Sequence, residues 1–263
     1  MKIATWNVNS VRKRTANLVS WLQRARPDVV VLQELKAQEP QFPKLEIEAA
    51  GYKVEIVGQK GFNGVALLSL HPVEITARAL PDSADDEPAR YIEGKVQTPK
   101  GPLTVGGIYL PNSNTTGTEK FAYKLDWMKR LARRTHDLLA REEMFVLGGD
   151  YNVCPTDIDV YSPTAFAEDA LCQPESRAAL RTLLNMGLTD AIRAYNADLP
   201  QYTYWDYQGG AWQKDNGLRI DHLLLSPQAA DRLTGVGIDR AERGKAEPSD
   251  HVPVWCELDV AVA

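Results

Sequence analysis

The chain has 263 residues, of which 44% are hydrophobic and 25% are charged, a composition that is ordinary for a globular protein and excludes a disordered chain. No apolar run approaches the roughly 18 residues that a membrane helix needs, so we expect no membrane partner. The formal net charge of −5 excludes a protein that binds polyanions over its whole surface, so a nucleic-acid ligand would require a local basic surface or a metal ion.

No linker rich in proline, glycine or serine divides the sequence, so we expect one domain over residues 1–263. Cys154, Cys172 and Cys256 lack metal-ligand spacing and are interpreted as free thiols in a reducing compartment. No secretory signal precedes the first strand-like stretch. These features predict a cytoplasmic enzyme, and because nothing in the sequence demands an oligomer we expect a monomer.

The chain begins with a predicted strand–helix–strand unit. Residues 2–8 alternate as a half-buried strand does, and residues 12–25 carry apolar side chains at helical spacing. Pro27 forbids further helix. Residues 28–33 are a continuous apolar run rich in β-branched side chains, which is typical of a strand buried on both faces.

Short strands separated by turn residues come next. They are predicted at 52–57, 64–69, 74–80, 91–98 and 103–109. Their close spacing indicates antiparallel hairpins or meanders. The longest helical pattern, at 118–140, precedes a buried strand at 144–148.

The last third of the chain continues the alternation. A short helix is predicted at 175–186, and strands are predicted at 219–226 and 252–258. Both halves of the chain open with a βαβ-like unit. The pattern therefore predicts two sheets packed face to face and covered by helices.

Polar side chains follow, interrupt or precede several predicted strands, where a rigid scaffold can hold them in one cleft. They are Asn7, Asn9, Glu34, Asp150, Asn152, Asp221, Asp250 and His251. Each could alone be an ordinary turn or capping residue. However, Asp221 lies inside an apolar strand, where an unpaired carboxylate would cost several kcal/mol. His251 is its natural partner.

These residue types suit phosphodiester hydrolysis. The Glu34 carboxylate and the Asn7 amide oxygen are ligands that a hard cation such as Mg²⁺ prefers. Pairing with a carboxylate favours the protonated form of His251, which can donate to a phosphoryl oxygen. Asp150 can take a proton from attacking water, and Asn152 can orient that water or the phosphate.

The sequence resembles the exonuclease III group of the endonuclease/exonuclease/phosphatase superfamily, which contains the abasic-site endonucleases of base-excision repair. Seven short segments occur in the order of that family, at residues 6–9, 28–36, 64–69, 108–112, 149–152, 216–221 and 249–251. The resemblance runs nearly end to end. It implies an α/β fold, a four-layer sandwich of two packed, mostly antiparallel β-sheets flanked by helices, with the active site at one end of the sheets.

The resemblance also implies a role for each matching residue. It implies catalytic roles for Asp150 (water activation), Asn152, Tyr109 (near the scissile phosphate) and the Asp221–His251 pair. It implies a metal site at Glu34 and Asn7, with Asp250 as a metal ligand or metal neighbour. For Asn9 it implies a supporting role beside the substrate. The implied cofactor is Mg²⁺, with Mn²⁺ as an alternative. Whether one or two ions bind is left open.

Three further positions are candidates for contact with substrate. The aromatic stretch 203–212 is similar to the damage-recognition loop of the family, in which Trp205 best matches a contact to the flipped-out abasic sugar; alternatively, its rings belong partly to the core. Arg219 can contact phosphate or only support its strand. Arg12 follows the first strand end, where phosphate contact is plausible. The acidic stretch 82–87 is expected to face away from DNA.

The leading hypothesis is a Mg²⁺-dependent DNA repair nuclease that cuts duplex DNA 5′ to abasic sites and removes nucleotides or blocking groups from 3′ ends. One alternative is a phosphatase or phosphodiesterase that acts on a small or lipid phosphate through the same site, although such a substrate needs no aromatic loop. Another is a catalytically silent nucleic-acid-binding scaffold, which has no physical need for buried carboxylates.

Overall fold

The computed structural model describes residues 1–81, 83, 88–113 and 116–261. The acidic residues Asp82, Asp85, Asp86 and Glu87, which we expected to face away from DNA, lie outside the described residues. No helix within the described ranges has both the length and the apolar character needed to cross a bilayer.

The strands within the described residues are β1 (Lys2–Asn7), β2 (Val29–Gln33), β3 (Lys53–Val57), β4 (Val65–Ser69), β5 (Glu74–Ala77), β6 (Tyr91–Val96), β7 (Leu103–Tyr109), β8 (Met144–Asp150), β9 (Thr189–Asp190), β10 (Asp221–Leu225), β11 (Leu233–Ile238) and β12 (Val254–Leu258). The α-helices there are α1 (Thr15–Ala25), α2 (Lys44–Ala49), α3 (Glu119–Leu139), α4 (Pro174–Asn185), α5 (Ala191–Tyr195) and α6 (Pro227–Ala230).

The strands form two six-stranded sheets. The first has the order β11-β12-β1-β2-β4-β3, and the second has the order β5-β6-β7-β8-β10-β9. In each sheet one pair is parallel, β1 with β2 and β7 with β8, and a long helix joins the two strands of that pair. Two parallel neighbouring strands require such a crossover connection. The other strand pairs are antiparallel. The predicted βαβ unit therefore opens the first sheet, whereas in the second sheet it follows the antiparallel strands β5 and β6.

Four layers result because each sheet buries both of its faces. Residues such as Val31 of β2 and Val105 of β7 share the core between the sheets. On the outer face of the first sheet, Trp21 of α1 belongs to a second core, and on the outer face of the second sheet Leu131 of α3 belongs to a third. Burial of each such side chain contributes about 1.5–3 kcal/mol relative to exposure. The four-layer architecture is the one that the sequence predicts.

A close approach of two strands requires glycine immediately before Asp150. A Cβ atom on Gly149 would lie 2.0 Å from the carbonyl oxygen of Ile108 on the neighbouring strand β7. No side chain can be accommodated at that distance, so glycine lets β7 and β8 stay in register through to the pairing of Tyr109 with Asp150. This register places both side chains at the same end of the second sheet.

The structure departs from the predicted elements mainly at edges and ends. Strand β11 is absent from the sequence prediction because Gly235 and Gly237 interrupt its pattern and most of its residues are only half-buried. The first long helix begins at Thr15, since residues 11–14 form a turn instead. The strand predicted to begin at residue 219 starts at Asp221, because the preceding residues bond to loops rather than to a strand.

Candidate active site

A cavity of about 700 Å³ lies at one end of the two sheets. The predicted site residues that line it are Asn7, Asn9, Glu34, Tyr109, Asp150, Asn152, Asp250 and His251. The parallel strands β1 and β2 deliver Asn7 and Glu34 to this end, and β7 and β8 deliver Tyr109 and Asp150. Residues far apart in the chain therefore meet because the sheets place their strand ends side by side.

Asp221 and His251 form a buried pair. The Nδ1 atom of His251 lies 2.8 Å from Oδ2 of Asp221, and the Thr203 hydroxyl donates to the same oxygen at 2.6 Å. The other ring nitrogen, Nε2, lies 3.8 Å from Oδ2 of Asp150. Because Asp221 accepts the Nδ1 proton, it fixes the orientation of the ring and turns Nε2 towards Asp150. The predicted partnership of Asp221 with His251 is confirmed by this contact.

The pKa values of His251 and Asp150 are both raised, for different reasons. Burial alone would lower the pKa of His251, but the Asp221 and Asp150 carboxylates outweigh it and raise that pKa to about 10. Burial raises the pKa of Asp150 to about 7, although the charge of His251 and the hydrogen bond from Asn7 oppose the rise. Near neutral pH, His251 is therefore a cationic donor, and Asp150 is poised to exchange a proton.

Both oxygens of Asp150 accept hydrogen bonds, which fixes the carboxylate. Asn7 Nδ2 donates to Oδ2 at 2.9 Å, and the backbone N–H of Asn152 donates to Oδ1 at 2.9 Å. Asn152 has a φ of +48°, in the left-handed region, and its side-chain amide donates to the Leu110 carbonyl at 2.8 Å. Such a conformation costs of order 1–3 kcal/mol and persists only where the surroundings enforce it.

Glu34, Asn7 and Asp250 form the oxygen-rich side of the cavity. Asn9 connects Asn7 with Asp250. Its backbone N–H donates to Asn7 Oδ1 at 3.0 Å, and its side-chain amide donates to Asp250 Oδ1 at 3.0 Å. Glu34 has a φ of +55°, and Lys36 Nζ lies 3.4 Å from its Oε1 atom. Glu34 thus lines the cavity from a strand end whose backbone lies in the left-handed region.

Two donor sets within the described residues could hold a divalent cation. Ligand atoms of Asp150, Asp221 and His251 lie within 4.8 Å of one another. However, the raised pKa keeps His251 protonated, and its Nδ1 atom is committed to Asp221. The carboxylates of Glu34 and Asp250 with the amide oxygen of Asn7 supply the hard oxygen donors that Mg²⁺ prefers. The second set therefore fits a Mg²⁺-like ion better than the first.

Tyr109 presents a protonated hydroxyl to the same cavity. Burial raises the pKa of this phenol well above its ordinary value, and the nearby Glu34 and Asp150 carboxylates raise it further. The Arg90 guanidinium lies 4.9 Å from the ring centroid and holds the ring from behind. Tyr109 can therefore act as a hydrogen-bond donor at the end of β7.

Aromatic and apolar side chains complete the lining of the cavity. This aromatic wall consists of Tyr161, Phe166, Leu171, Tyr204, Leu218 and Ile220. The Tyr204 ring packs edge-on against the His251 ring at a centroid distance of 4.9 Å. Isolated β-bridges join Tyr204 to Leu218 and to His251, so the backbone of the aromatic wall is connected directly to the segment that carries His251.

Comparison with known proteins shows the family to which the chain belongs. The model of the endonuclease/exonuclease/phosphatase family matches residues 4–251. The chain belongs to this family. It is 32% identical to exodeoxyribonuclease III of Haemophilus influenzae, with 98% of this chain and all of the relative covered.

Solved structures of similar proteins share the fold. An AP endonuclease from Archaeoglobus fulgidus is 33% identical, with a TM-score of 0.93 over 99% of this chain and 100% of that chain. The 3′ phosphatase NExo from Neisseria, bound to a product DNA hairpin, is 37% identical, with a TM-score of 0.93 over 98% of this chain and 99% of that chain.

The structure corrects the expectation that Trp205 meets the substrate. Its side chain is 0% exposed, and its Nε1 atom donates to Asp215 Oδ1 at 2.9 Å. Its ring packs against Trp212 at a centroid distance of 5.0 Å, away from the cavity lining. Successive side chains of an extended segment point to opposite sides, so it is the neighbouring Tyr204 that faces the cavity. Trp205 belongs to the core of the loop.

Arg219 does not reach the cavity either, which corrects its assignment as a substrate-binding residue. It is 1% exposed, and its guanidinium bonds to Asp159 at 2.6 Å and to Asp190 at 2.7 Å. These partners saturate its charge, so Arg219 supports the start of β10. Arg12 is exposed but lies outside the cavity lining, and its contact with phosphate stays a prediction.

Sequence reasoning missed several residues that line the cavity. Tyr161, Phe166, Asp169 and Leu171 come from an irregular segment without the periodicity of a strand or helix. Lys36 is not among the predicted site residues, yet its Nζ atom donates to Asn9 Oδ1 at 2.6 Å. Its position two residues after Glu34 is the only signal that the sequence offers for this role.

Proposed function

We propose that the chain is a divalent-metal-dependent DNA repair nuclease that cuts duplex DNA 5′ to abasic sites and also removes nucleotides or blocking groups from 3′ ends. The observation that carries the proposal is the Asp150–His251–Asp221 arrangement, which shares one cavity with a set of oxygen donors and an aromatic wall. The names of the similar exodeoxyribonuclease III and AP endonuclease support a DNA substrate.

The chemistry follows from the proton positions. Asp150 accepts the proton of the attacking water, since both its oxygens are oriented and its pKa is raised to about 7. His251 and Tyr109 donate hydrogen bonds to the phosphoryl oxygens, where negative charge develops. Asn152 orients the water or the phosphate from the side of Asp150.

A bound metal ion would reduce the repulsion between the phosphate and the carboxylates of the cavity. Glu34, Asp150 and Asp250 line the cavity and Asp221 lies beneath it, so an anionic phosphate would meet several carboxylates. Glu34, Asn7 and Asp250 would hold Mg²⁺ or Mn²⁺, which when bound supplies Lewis-acid polarisation of the phosphate and offsets this repulsion. Every residue in the proposed site comes from one chain, so the proposal requires no oligomer.

The aromatic wall supports selectivity for abasic sites. Tyr204, Leu218 and Ile220 form an apolar surface directly beside His251. A sugar that has lost its base presents an apolar ring face and can turn into such a pocket, whereas a normal nucleotide must also leave its stack and its partner. A small or lipid phosphate, which is the alternative substrate for this site, gains little from these rings.

The experiment is an incision assay on a 5′-labelled duplex with one synthetic abasic site. Parallel reactions use a 3′-phosphate duplex, a nicked duplex, a plain duplex and an inositol phosphate. We expect cleavage 5′ to the abasic site in Mg²⁺ and loss of cleavage with a chelator. We also expect release of nucleotides or of phosphate from the 3′ ends. Turnover of the inositol phosphate without cleavage of any DNA would overturn the proposal in favour of the phosphatase alternative.

A further inference from the structure

We propose that Lys124 is a positioning residue for this site: its buried ammonium group ties together three segments that line the cavity and thereby sets the placement of Asn152 and Asp150. The inference rests on the proposed function, because it concerns the same site. Lys124 touches no reacting atom and is therefore not a catalytic residue.

The contacts of Lys124 are unusual for a lysine. It lies in α3 and is 0% exposed, among the least accessible charged residues that the structure describes. Its Nζ atom donates to the carbonyl oxygens of Asn152 at 2.6 Å, Asn112 at 3.3 Å and Ala170 at 3.3 Å. These three bonds match the three donors of an ammonium group.

Each of the three carbonyls belongs to a different segment at the cavity. Asn112 follows β7 and lines the cavity, and Asn152 follows β8 and lines it too. Ala170 lies between Asp169 and Leu171, both of which line the cavity. One side chain of α3 therefore links the ends of two strands to the irregular segment that carries part of the aromatic wall.

The hydrogen-bonded link from Lys124 to Asp150 runs through a single residue, and the two charges also attract each other directly. Asn152 donates its N–H to Asp150 Oδ1 at 2.9 Å, while its carbonyl accepts from Lys124. Asn152 has a φ of +48°, so its backbone needs a partner that holds it in this conformation. Loss of the ammonium would free the carbonyl end of Asn152 and loosen the donor that orients Asp150.

Burying the charged group of a lysine at this position has a cost in free energy. Burial lowers the pKa of Lys124 to about 8, which shows that its environment disfavours the charge. An apolar side chain of similar length would avoid that cost, but it would leave three carbonyl oxygens without their donor. The carbonyl contacts, which an apolar chain cannot make, are what distinguishes lysine here.

The test compares Lys124→Met with Lys129→Met, an exposed lysine on the same helix. We expect Lys124→Met to lower kcat for abasic-site cleavage about 10–100-fold with KM within about twofold, because a displacement of about 1 Å in a catalytic group costs about 100-fold in rate. Lys129→Met should retain the wild-type kcat. Lys124→Gln, which keeps a donor, should recover part of the loss, and thermal melts give the folded fraction of each variant.

Three results would overturn the proposal. They are a Lys124→Met kcat within about twofold of wild type, a loss fully explained by a smaller folded fraction, and a higher KM at unchanged kcat. If Lys124→Met does not fold, the same criteria apply to Lys124→Gln.

A second measurement does not depend on the proposed function. Amide hydrogen exchange at residues 150–154 should become faster in Lys124→Met and stay unchanged in Lys129→Met. Unchanged exchange in Lys124→Met would overturn the positioning role. Inactivity of the wild-type protein on every DNA substrate would instead count against the proposed function, and the exchange result would still decide the role of Lys124.

Discussion

The two walls of the cavity are built in different ways. The polar side of the cavity, called the polar wall, is built largely on strand ends whose places the register of the sheets sets. Asp150 lies opposite Tyr109 on one neighbouring strand and opposite Asp221 on the other. The aromatic wall is carried mainly by irregular segments. Tyr204 is held there by isolated bridges, and Phe166 by a turn of its own segment.

In the proposed function, the polar wall carries out the reaction and the aromatic wall selects the substrate. Sheet register places the carboxylates of Asp150 and Asp221, and the contact with Asp221 orients the His251 ring, so a proton-transfer site is held with little freedom. The loops can change in sequence without disturbing the sheets, so they are suited to choosing the substrate. Variants of the polar wall should therefore affect every phosphodiester, whereas variants of the aromatic wall should alter the preference between substrates.

The largest effect is expected from Asp150→Asn. The amide keeps the size of the carboxylate but cannot accept a proton, so kcat should fall about 10²–10⁴-fold on abasic DNA, on 3′-phosphate ends and on a small phosphodiester alike. Single-turnover kinetics on each substrate give the ratios, and a filter-binding assay gives DNA affinity, which should be largely retained. A loss confined to abasic DNA would contradict the division between the two walls.

Asp221→Asn should have the next largest effect, and it should depend on pH. Asp221 and Asp150 raise the pKa of His251 to about 10, so the imidazolium persists below that pH and is lost above it. Without the Asp221 charge the pKa of His251 should fall, and the alkaline limb of the pH–rate profile should move to lower pH. We expect a loss of about 10²-fold at pH 8 and a smaller loss at pH 6.

In the wild-type protein, the acid limb of the same profile reports Asp150. Burial raises the pKa of this carboxyl to about 7, so the general base is protonated below that pH and the rate should rise as pH passes through it. The Asp221→Asn comparison therefore needs the full profile from pH 5 to pH 10. An alkaline limb in the same place for both proteins would show that Asp221 does not control the protonation of His251.

The sequence predicted the polar wall better than the aromatic wall for a physical reason. Asp221 interrupts an apolar run, and a buried carboxylate demands a partner, so the contact with His251 could be expected from sequence. Trp205 and Tyr204 are adjacent aromatics in a segment without a clear period. Which of the two faces the core depends on loop packing that no local pattern records, and Trp205 was the wrong choice.

Lys124 illustrates a second limit. A lysine in an amphipathic helix is normally assigned to the solvent face, and the apolar stripe of the predicted helix was interpreted without it. The three carbonyls that bind its ammonium group lie 12, 28 and 46 residues away in sequence and outside the helix, so no helical spacing can reveal them. Buried polar contacts between distant loops were thus the part of the site that required a structure.

Tyr204→Ala should reduce abasic-site cleavage about 10-fold while changing hydrolysis of a small phosphodiester far less, since it removes the apolar surface on which the abasic sugar packs, and a tenfold change corresponds to about 1.4 kcal/mol. Because Tyr204 also packs against His251, Tyr204→Leu serves as a variant that keeps an apolar wall without the ring. Tyr195→Ala, at an exposed tyrosine outside the cavity lining, is the matched control. Equal losses on both substrates would make Tyr204 a support for His251 rather than a selective contact.

Trp205→Ala should have the smallest effect on substrate preference and a large effect on stability. The buried indole packs against Trp212 and donates to Asp215, so its removal should lower the free energy of unfolding by about 3–5 kcal/mol. Chemical denaturation measures that loss, and the ratio of abasic-site cleavage to small-phosphodiester hydrolysis per folded molecule should match wild type. A fall in that ratio at unchanged stability would return Trp205 to the substrate side of the loop, because only contact with DNA would lower one activity selectively.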